Sequence, residues 1–245
     1  EIFDARECDR EWQDVVESKA PTGELCASYA PLDKVMKTIS PVSFRRTDEG
    51  WEADFGKEIS GWLRFRDVNG KSGDILTVKY ISESPVGEQK YIFGDGKCDD
   101  YAPKFTWYVF RKAIISGVEL SEDNVTAEVV NTDVKTDSEF TSSNPLLNQI
   151  NTIWRRSLED NLHGGTMSDC PHREKSPYTG DGQVCCETVM ANYDCYTFYH
   201  KWIRDIRDAQ NTDTGYVPNS APWQPGCGGG VAWGAAIHIM PWEMY

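Results

Sequence analysis

The sequence predicts an antiparallel β-sandwich over residues 1–137, followed by part of a helical domain over residues 138–245. Three observations predict it. Before residue 138, short runs alternate apolar and polar residues between turn signals. After it, apolar residues recur at the helical period. Strands come first and helices second, which argues for two domains in series and against interleaved βαβ units.

In the first part, residues 61–68 (Gly-Trp-Leu-Arg-Phe-Arg-Asp-Val) alternate as a strand with one buried face should. Asn69-Gly70 carries the signal of a tight hairpin, and a second strand follows at 75–81. Further strands are expected at 90–93, 105–110, 112–116 and 126–132. In the second part, Asn144 before Pro145 reads as an N-cap with proline at the first helical position. Leu146, Leu147, Ile150, Ile153, Trp154 and Leu158 then form one apolar face. A loop holds Gly164-Gly165 through Pro177. A second helix from Asp181 is expected to turn Val184, Cys185, Thr188 and Val189 to one side. Asp194 is expected to cap a third, with Phe198, Trp202, Ile203 and Ile206 inward and Lys201, Arg204, Asp205, Arg207 and Asp208 outward. A loop rich in Gly and Pro spans 218–230, and an apolar segment starts at Val231. Three or four helices make an incomplete helical domain. The chain opens on charge and stops inside an apolar stretch, so both ends read as cuts in a longer protein.

Composition narrows the function classes. With 25 basic and 39 acidic residues the net charge is −14, which repels phosphate backbones and argues against a nucleic-acid partner. No run of eighteen apolar residues occurs, so no membrane-spanning segment is expected. Of the eight cysteines, Cys185, Cys186 and Cys195 fall on apolar positions, where a thiol acts as a small hydrophobe, so reduced, structural cysteines are expected. Cys170 and His172 form the only close Cys/His pair and no C-x-x-C completes it, so no metal site is expected. No EF-hand pattern indicates calcium, and no phosphate-binding loop occurs.

The densest polar cluster lies in the loop between the first two helices, from Ser168 to Asp181. It gathers Asp169, Glu174 and Asp181 with Arg173, Lys175 and His172, and Pro171 and Pro177 stiffen it. A solvated charged loop would have the same composition. Glycosidic bond hydrolysis gives the grouping a purpose: one carboxylic acid protonates the leaving oxygen while a second carboxylate activates water. The acid must stay protonated near neutrality, and neighbouring Asp169 and Asp181 would raise its pKa, with Arg173 opposing unless paired elsewhere.

Residues 169–183, Asp-Cys-Pro-His-Arg-Glu-Lys through Tyr-Thr-Gly-Asp-Gly-Gln, resemble the D-C-P-x-R-E-R-L-G-W-T-G-D-x-Q signature of family 78 α-L-rhamnosidases. The likeness continues at 198–210, 215–222, 232–236 and 241–245. Upstream, 54–62 and 103–111 are similar to segments of the same family's β-domain. The resemblance implies β-domains joined to an (α/α)6 barrel, of which this chain would hold one β-sandwich and the opening helices. It implies inverting hydrolysis of terminal α-L-rhamnosides without a cofactor, a carbohydrate partner, and a periplasmic or secreted location. By motif position Glu174 would be the general acid. Asp169, Arg173 and Asp181 would hold the sugar or support the acid, and Tyr178 and Trp233 would contact it as aromatics. The family's base is a glutamate that would lie beyond Tyr245. His172 sits inside the motif, and Glu243 reads as a helix-cap or supporting carboxylate; Trp154, Trp202, His163, His200 and His238 read as structural. Lys175-Ser176-Pro177 replaces Arg-Leu-Gly, Tyr178 replaces Trp and Ala235 replaces an Asp, which points to an altered substrate preference. The competing readings are a polysaccharide lyase on a similar barrel and a non-catalytic carbohydrate-binding protein.

Overall fold

The computed structural model describes residues 1–7, 11–20, 22–83 and 87–245. Nine strands come first: β1 Ile2–Asp4, β2 Asp33–Ile39, β3 Ser43–Thr47, β4 Gly50–Asn69, β5 Ile75–Ile81, β6 Gln89–Ile92, β7 Lys97–Tyr101, β8 Tyr108–Ser116 and β9 Val125–Thr132. Short strands β10 Lys135–Thr136, β11 Leu162–His163, β12 Thr166–Met167 and β13 Tyr193–Asp194 are interspersed with the helices. The helices are α1 Pro145–Asn161, α2 Thr179–Met190, α3 Tyr196–Ala209, α4 Val231–Gly234 and α5 Ala236–Met244.

Hydrogen bonds join β1–β9 into one curled sheet, in the order β1-β6-β5-β8-β4-β9-β2, with β3 and β7 also on β4. Every pairing is antiparallel except β1 with β6. The spine is β4, 20 residues long. Its start pairs with β3 and β8, its middle with β8 and β9, and its end with β7. Register breaks between Asp54 and Ile59, where Gly56 has φ +76°. Gly61 is where β4 exchanges β8 for β9, and a Cβ there would lie 1.8 Å from the Glu128 carbonyl oxygen. The alternation read at 61–68 is real: Leu63 and Phe65 are buried and Trp62 and Arg64 less so. Asp67, at φ +54°, then resets the face so that Val68 is again buried.

Several expectations are corrected. Asn69-Gly70 does not form a hairpin, because β5 pairs with β6 and β8 and not with β4. Gly70 is needed for a different reason: the Phe93 ring lies 2.6 Å from where a Cβ would stand. Residues 105–110 and 112–116 are not separate strands; β8 runs unbroken over Tyr108–Ser116, and Phe105 is exposed. Strands β1, β2, β3 and β7 were not foreseen. Both β2 and β3 are mostly exposed, so neither carries a clean apolar alternation.

A second core is built by the helices around Trp202, Tyr199, Phe198 and Ile206, all fully buried. Asn144 caps α1 as expected, its Oδ1 accepting from the Leu146 N–H at 3.0 Å. On α1, however, only Leu158 is buried; Leu146, Leu147, Ile150 and Ile153 are exposed. The inward face of α2 is Gly182, Cys186 and Val189; Val184 and Thr188 are exposed. Gly182 decides that face, since the Trp202 ring occupies the space a Cβ would need, 2.1 Å away. Asp194 lies in β13 and does not cap α3; Cys195 precedes that helix without a side-chain cap bond. The apolar face expected for α3 is otherwise correct, but Lys201 and Asp205 are half-buried and bond to one another in place of pointing freely outward. Seven cysteines among the described residues are free, and Cys8 lies outside them.

The sheet and the helices meet at Ser60. Its N–H donates to Asp160 Oδ1 at 2.9 Å, and its hydroxyl lies 2.6 Å from His163 Nε2. Burial pushes the Asp160 carboxyl up to about 7. An unfolded Asp titrates near ~4. Between those values the folded protein holds a proton that the unfolded chain has released, so this group's contribution to stability is full below the window and declines as pH rises through it. Asp160→Asn keeps the carbonyl oxygen that Ser60 needs and removes the ionisation. The melting temperature of that variant is expected to fall less than the parent's between pH 5 and pH 8. Equal losses in calorimetric scans of the two proteins would remove Asp160 as the responsible group.

Candidate functional site

A cavity of about 550 Å³ opens between α1, α2 and the start of α4. The fold brings its walls together through small residues and backbone bonds. Gly180, in the first turn of α2, lets the Trp233 ring lie against the helix, because a Cβ would sit 2.5 Å from that ring. Thr179 Oγ1 donates toward the Asn219 and Trp233 carbonyls, each at 3.1 Å, and Gln183 Nε2 donates to the Ala232 carbonyl at 2.5 Å. These bonds hold Trp233 as one wall. Trp154 of α1 also lines the cavity, and Asp169 and Asp181 line it with carboxylates. Two buried acceptors there, Asp169 Oδ1 and Gln183 Oε1, have no hydrogen-bond partner among the described residues. Polar acceptors and two indole rings on one lining make a cavity suited to a ligand with hydroxyl groups and apolar faces.

Glu174 does not line the cavity; it stands on the rim, in the loop that leads from Asp169 to α2. Donor atoms of Asp169, Cys170 and Glu174 lie within 4.8 Å of one another. Cys170 Sγ donates to Glu174 Oε2 at 3.0 Å, and Arg173 Nη2 donates to the same oxygen at 3.1 Å. The thiol bond, the contact with Asp169 and the Arg173 guanidinium hold the Glu174 carboxyl down to about 2. Burial, followed by Glu174 itself, pushes Asp169 up. Burial also pushes the Cys170 thiol up, which keeps it a donor. The expected rise in the Glu174 pKa is therefore reversed. Arg173 pairs with Glu174, and the two neighbouring carboxyls are driven apart, Glu174 down and Asp169 up.

Tyr178 precedes α2 and bridges to Ser220. A hydrogen bond with Cys227, then burial, pushes its hydroxyl up to about 12. His172 lies 3.7 Å from Glu83 and away from the cavity. Glu243 is exposed on α5, beside an exposed Trp242, and does not line the cavity. The structure thus gathers Asp169, Asp181 and Trp233 around one cavity, with Glu174 beside Asp169 and Arg173 on Glu174, and leaves Tyr178, His172 and Glu243 off its lining. Trp154 and Gln183 were missed as cavity residues. Both carried a signal: Gln183 closes the motif at 169–183, and Trp154 is an indole on the helix before the charged loop. Trp202, in contrast, is core as expected, with its indole N–H donating to the Ala221 carbonyl at 2.7 Å.

Residues 135–245 match the family model described as the bacterial alpha-L-rhamnosidase 6 hairpin glycosidase domain. An alpha-L-rhamnosidase of Formosa agariphila is 30% identical over 270 residues, covering 97% of this chain and 28% of that protein. One of Alteromonas sp. is 29% identical over 264 residues, with the same 97% and 28% coverage. Among solved structures, the alpha-L-rhamnosidase from Dictyoglumus thermophilum superposes with a TM-score of 0.89 at 27% identity, covering 100% of this chain and 31% of that one. The Streptomyces avermitilis alpha-L-rhamnosidase complexed with L-rhamnose gives 0.80 at 25% identity, covering 89% and 22%. The chain therefore spans less than a third of the length of these relatives.

Proposed function

Residues 135–245 belong to the six-hairpin glycosidase family of bacterial α-L-rhamnosidases, and on that premise we propose that the protein carrying this chain hydrolyses terminal α-L-rhamnosides with inversion. The observation that carries the reading is the close pair of carboxyls, Asp169 and Glu174, of which Asp169 lines a cavity walled by Trp154 and Trp233. In this reading the curled sheet is the β-sandwich domain of residues 1–137, and residues 138–245 open the (α/α)6 barrel. Glu174 donates the proton to the leaving oxygen. Asp169 and Asp181 accept hydrogen bonds from sugar hydroxyls, and Arg173 moves from Glu174 to the sugar when substrate enters. Trp233 packs against the ring, with Tyr178 beside it. A glutamate outside residues 1–245 activates the water, about 6.5–9.5 Å from Glu174 across the sugar. No cofactor takes part, and the setting is periplasmic or secreted.

Arg173 leaving Glu174 is the step that makes the acid usable. The guanidinium is one of the groups that keep the carboxyl ionised, so its departure raises the Glu174 pKa and lets the carboxyl hold the proton it donates. The test is the anomer released by the complete protein from an α-L-rhamnoside, followed by proton NMR in the first minutes. β-L-Rhamnose appearing first supports the reading. An α-anomer first would indicate retention, an ultraviolet-absorbing unsaturated product would indicate a lyase, and sugar affinity without turnover would indicate a binding protein. Each of those three results overturns it.

A further inference from the structure

Lys175 follows Glu174 directly, yet its side chain goes the other way. Its backbone has φ +55°, a left-handed conformation that an unbranched charged residue adopts only under constraint. Its N–H donates to the Cys170 carbonyl at 3.2 Å, closing the acid loop on itself. The side chain then reaches the sheet domain, where Nζ donates to the Trp107 carbonyl at 2.5 Å and lies 4.0 Å from the centre of the Trp107 ring. No carboxylate pairs with this amine among the described residues, and burial pushes it down to about 8. The far side of the contact is itself fixed. Trp107 stacks on His163 with ring centres 3.7 Å apart and planes 10° from parallel, and His163 is bonded to Ser60 of β4.

We propose that Lys175 is a positioning residue for Glu174: the left-handed turn and the clasp on Trp107 anchor the acid loop to the sheet domain and set where the acid stands. This rests on the reading of Glu174 as the proton donor. It gives the sheet domain a part in the chemistry, since the aromatic surface that fixes the loop comes from the segment just before β8 and not from the helices.

The test uses Lys175→Met, Lys175→Arg and Trp107→Leu. In the complete protein, the Cys170 thiol that donates to Glu174 reports on loop order, and exposed Cys26 serves as reference. Iodoacetamide labelling mapped by mass spectrometry is expected to speed up at Cys170 by ~10-fold in Lys175→Met and Trp107→Leu, with Lys175→Arg restoring most of the protection because a guanidinium also sits over an indole. Unchanged labelling in the Met and Leu variants would overturn the proposal, as would loss of protection in the Arg variant equal to that in Met. In the complete protein, Lys175→Met is expected to lower kcat on an alkyl rhamnoside by ~10-fold or more while a nitrophenyl rhamnoside, whose leaving group needs no proton, loses less than about threefold. Equal loss on both substrates would mark Lys175 as merely structural. Glu174→Gln run beside it separates the two ideas: if that variant shows no leaving-group split, the acid assignment fails; if it does and Lys175→Met does not, the anchoring proposal alone fails.

Discussion

Glu174→Gln is expected to lower kcat/KM on alkyl α-L-rhamnosides by ~10²–10⁴-fold, the usual contribution of a positioned general acid, and to spare nitrophenyl rhamnosides by comparison. The substitution is close to isosteric. Glutamine still offers an oxygen to the Cys170 thiol and the Arg173 guanidinium, whose bonds to Glu174 are 3.0 and 3.1 Å. What disappears is the transferable proton, so the kinetic loss reads proton donation and not disorder of the loop. The Cys170 thiol, Asp169 and Arg173 hold this carboxyl down to about 2, which makes it a poor donor until substrate rearranges these partners. The loss should therefore appear in kcat as well as in kcat/KM. Alkyl and nitrophenyl substrates suffering equally, or neither suffering, would take the acid role away from Glu174.

The largest expected loss of stability is Trp202→Ala. Trp202 is fully buried at the centre of the helical core, with Phe198 at 6.0 Å edge to face and its indole N–H satisfied by the Ala221 carbonyl at 2.7 Å. Truncation leaves a large void and an orphaned carbonyl, for an expected loss of about 3–5 kcal/mol. The complementary change, Gly182→Ala, overfills the same contact, because the new methyl would meet the Trp202 ring at 2.1 Å. It should cost about 1–3 kcal/mol. Both are measured by urea unfolding of the 245-residue chain. A loss under about 1 kcal/mol for Trp202→Ala, an exposed-site value, would mean that the indole is not the keystone its burial implies.

How much of this was legible depends on what each residue's role rests on. The strand at 61–68 and the apolar face of α3 were readable because one-sided burial writes its own period into the sequence. Asn144-Pro145 was readable because capping is a local matter of one side chain and the N–H two residues on. The Asn69-Gly70 pair misled because a glycine can serve a turn or a close approach, and here it accommodates Phe93. The face of α2 was misread for a related reason: its key position is a glycine, invisible to hydrophobic periodicity but required by Trp202. At the site, the charged cluster gave the right neighbourhood, and Asp169, Asp181 and Trp233 do share a cavity. The sign of the Glu174 shift was not legible, because it turns on which carboxylate Arg173 chooses and on a thiol acting as donor. Nor was the departure of Lys175 from its neighbours, which follows from a backbone torsion that no spacing encodes.

The bridging strand β4 has a kinetic corollary. Along its length it is hydrogen-bonded to β3, β7, β8 and β9, with both edges occupied at Gly61. A strand held from both sides has no private way to open, so its amides near Gly61 should exchange with deuterium only when the entire sheet comes apart. Those protons, the slowest in the sheet, would serve as a clock for global unfolding, whereas the edge strands β1 and β2 exchange by fraying long before.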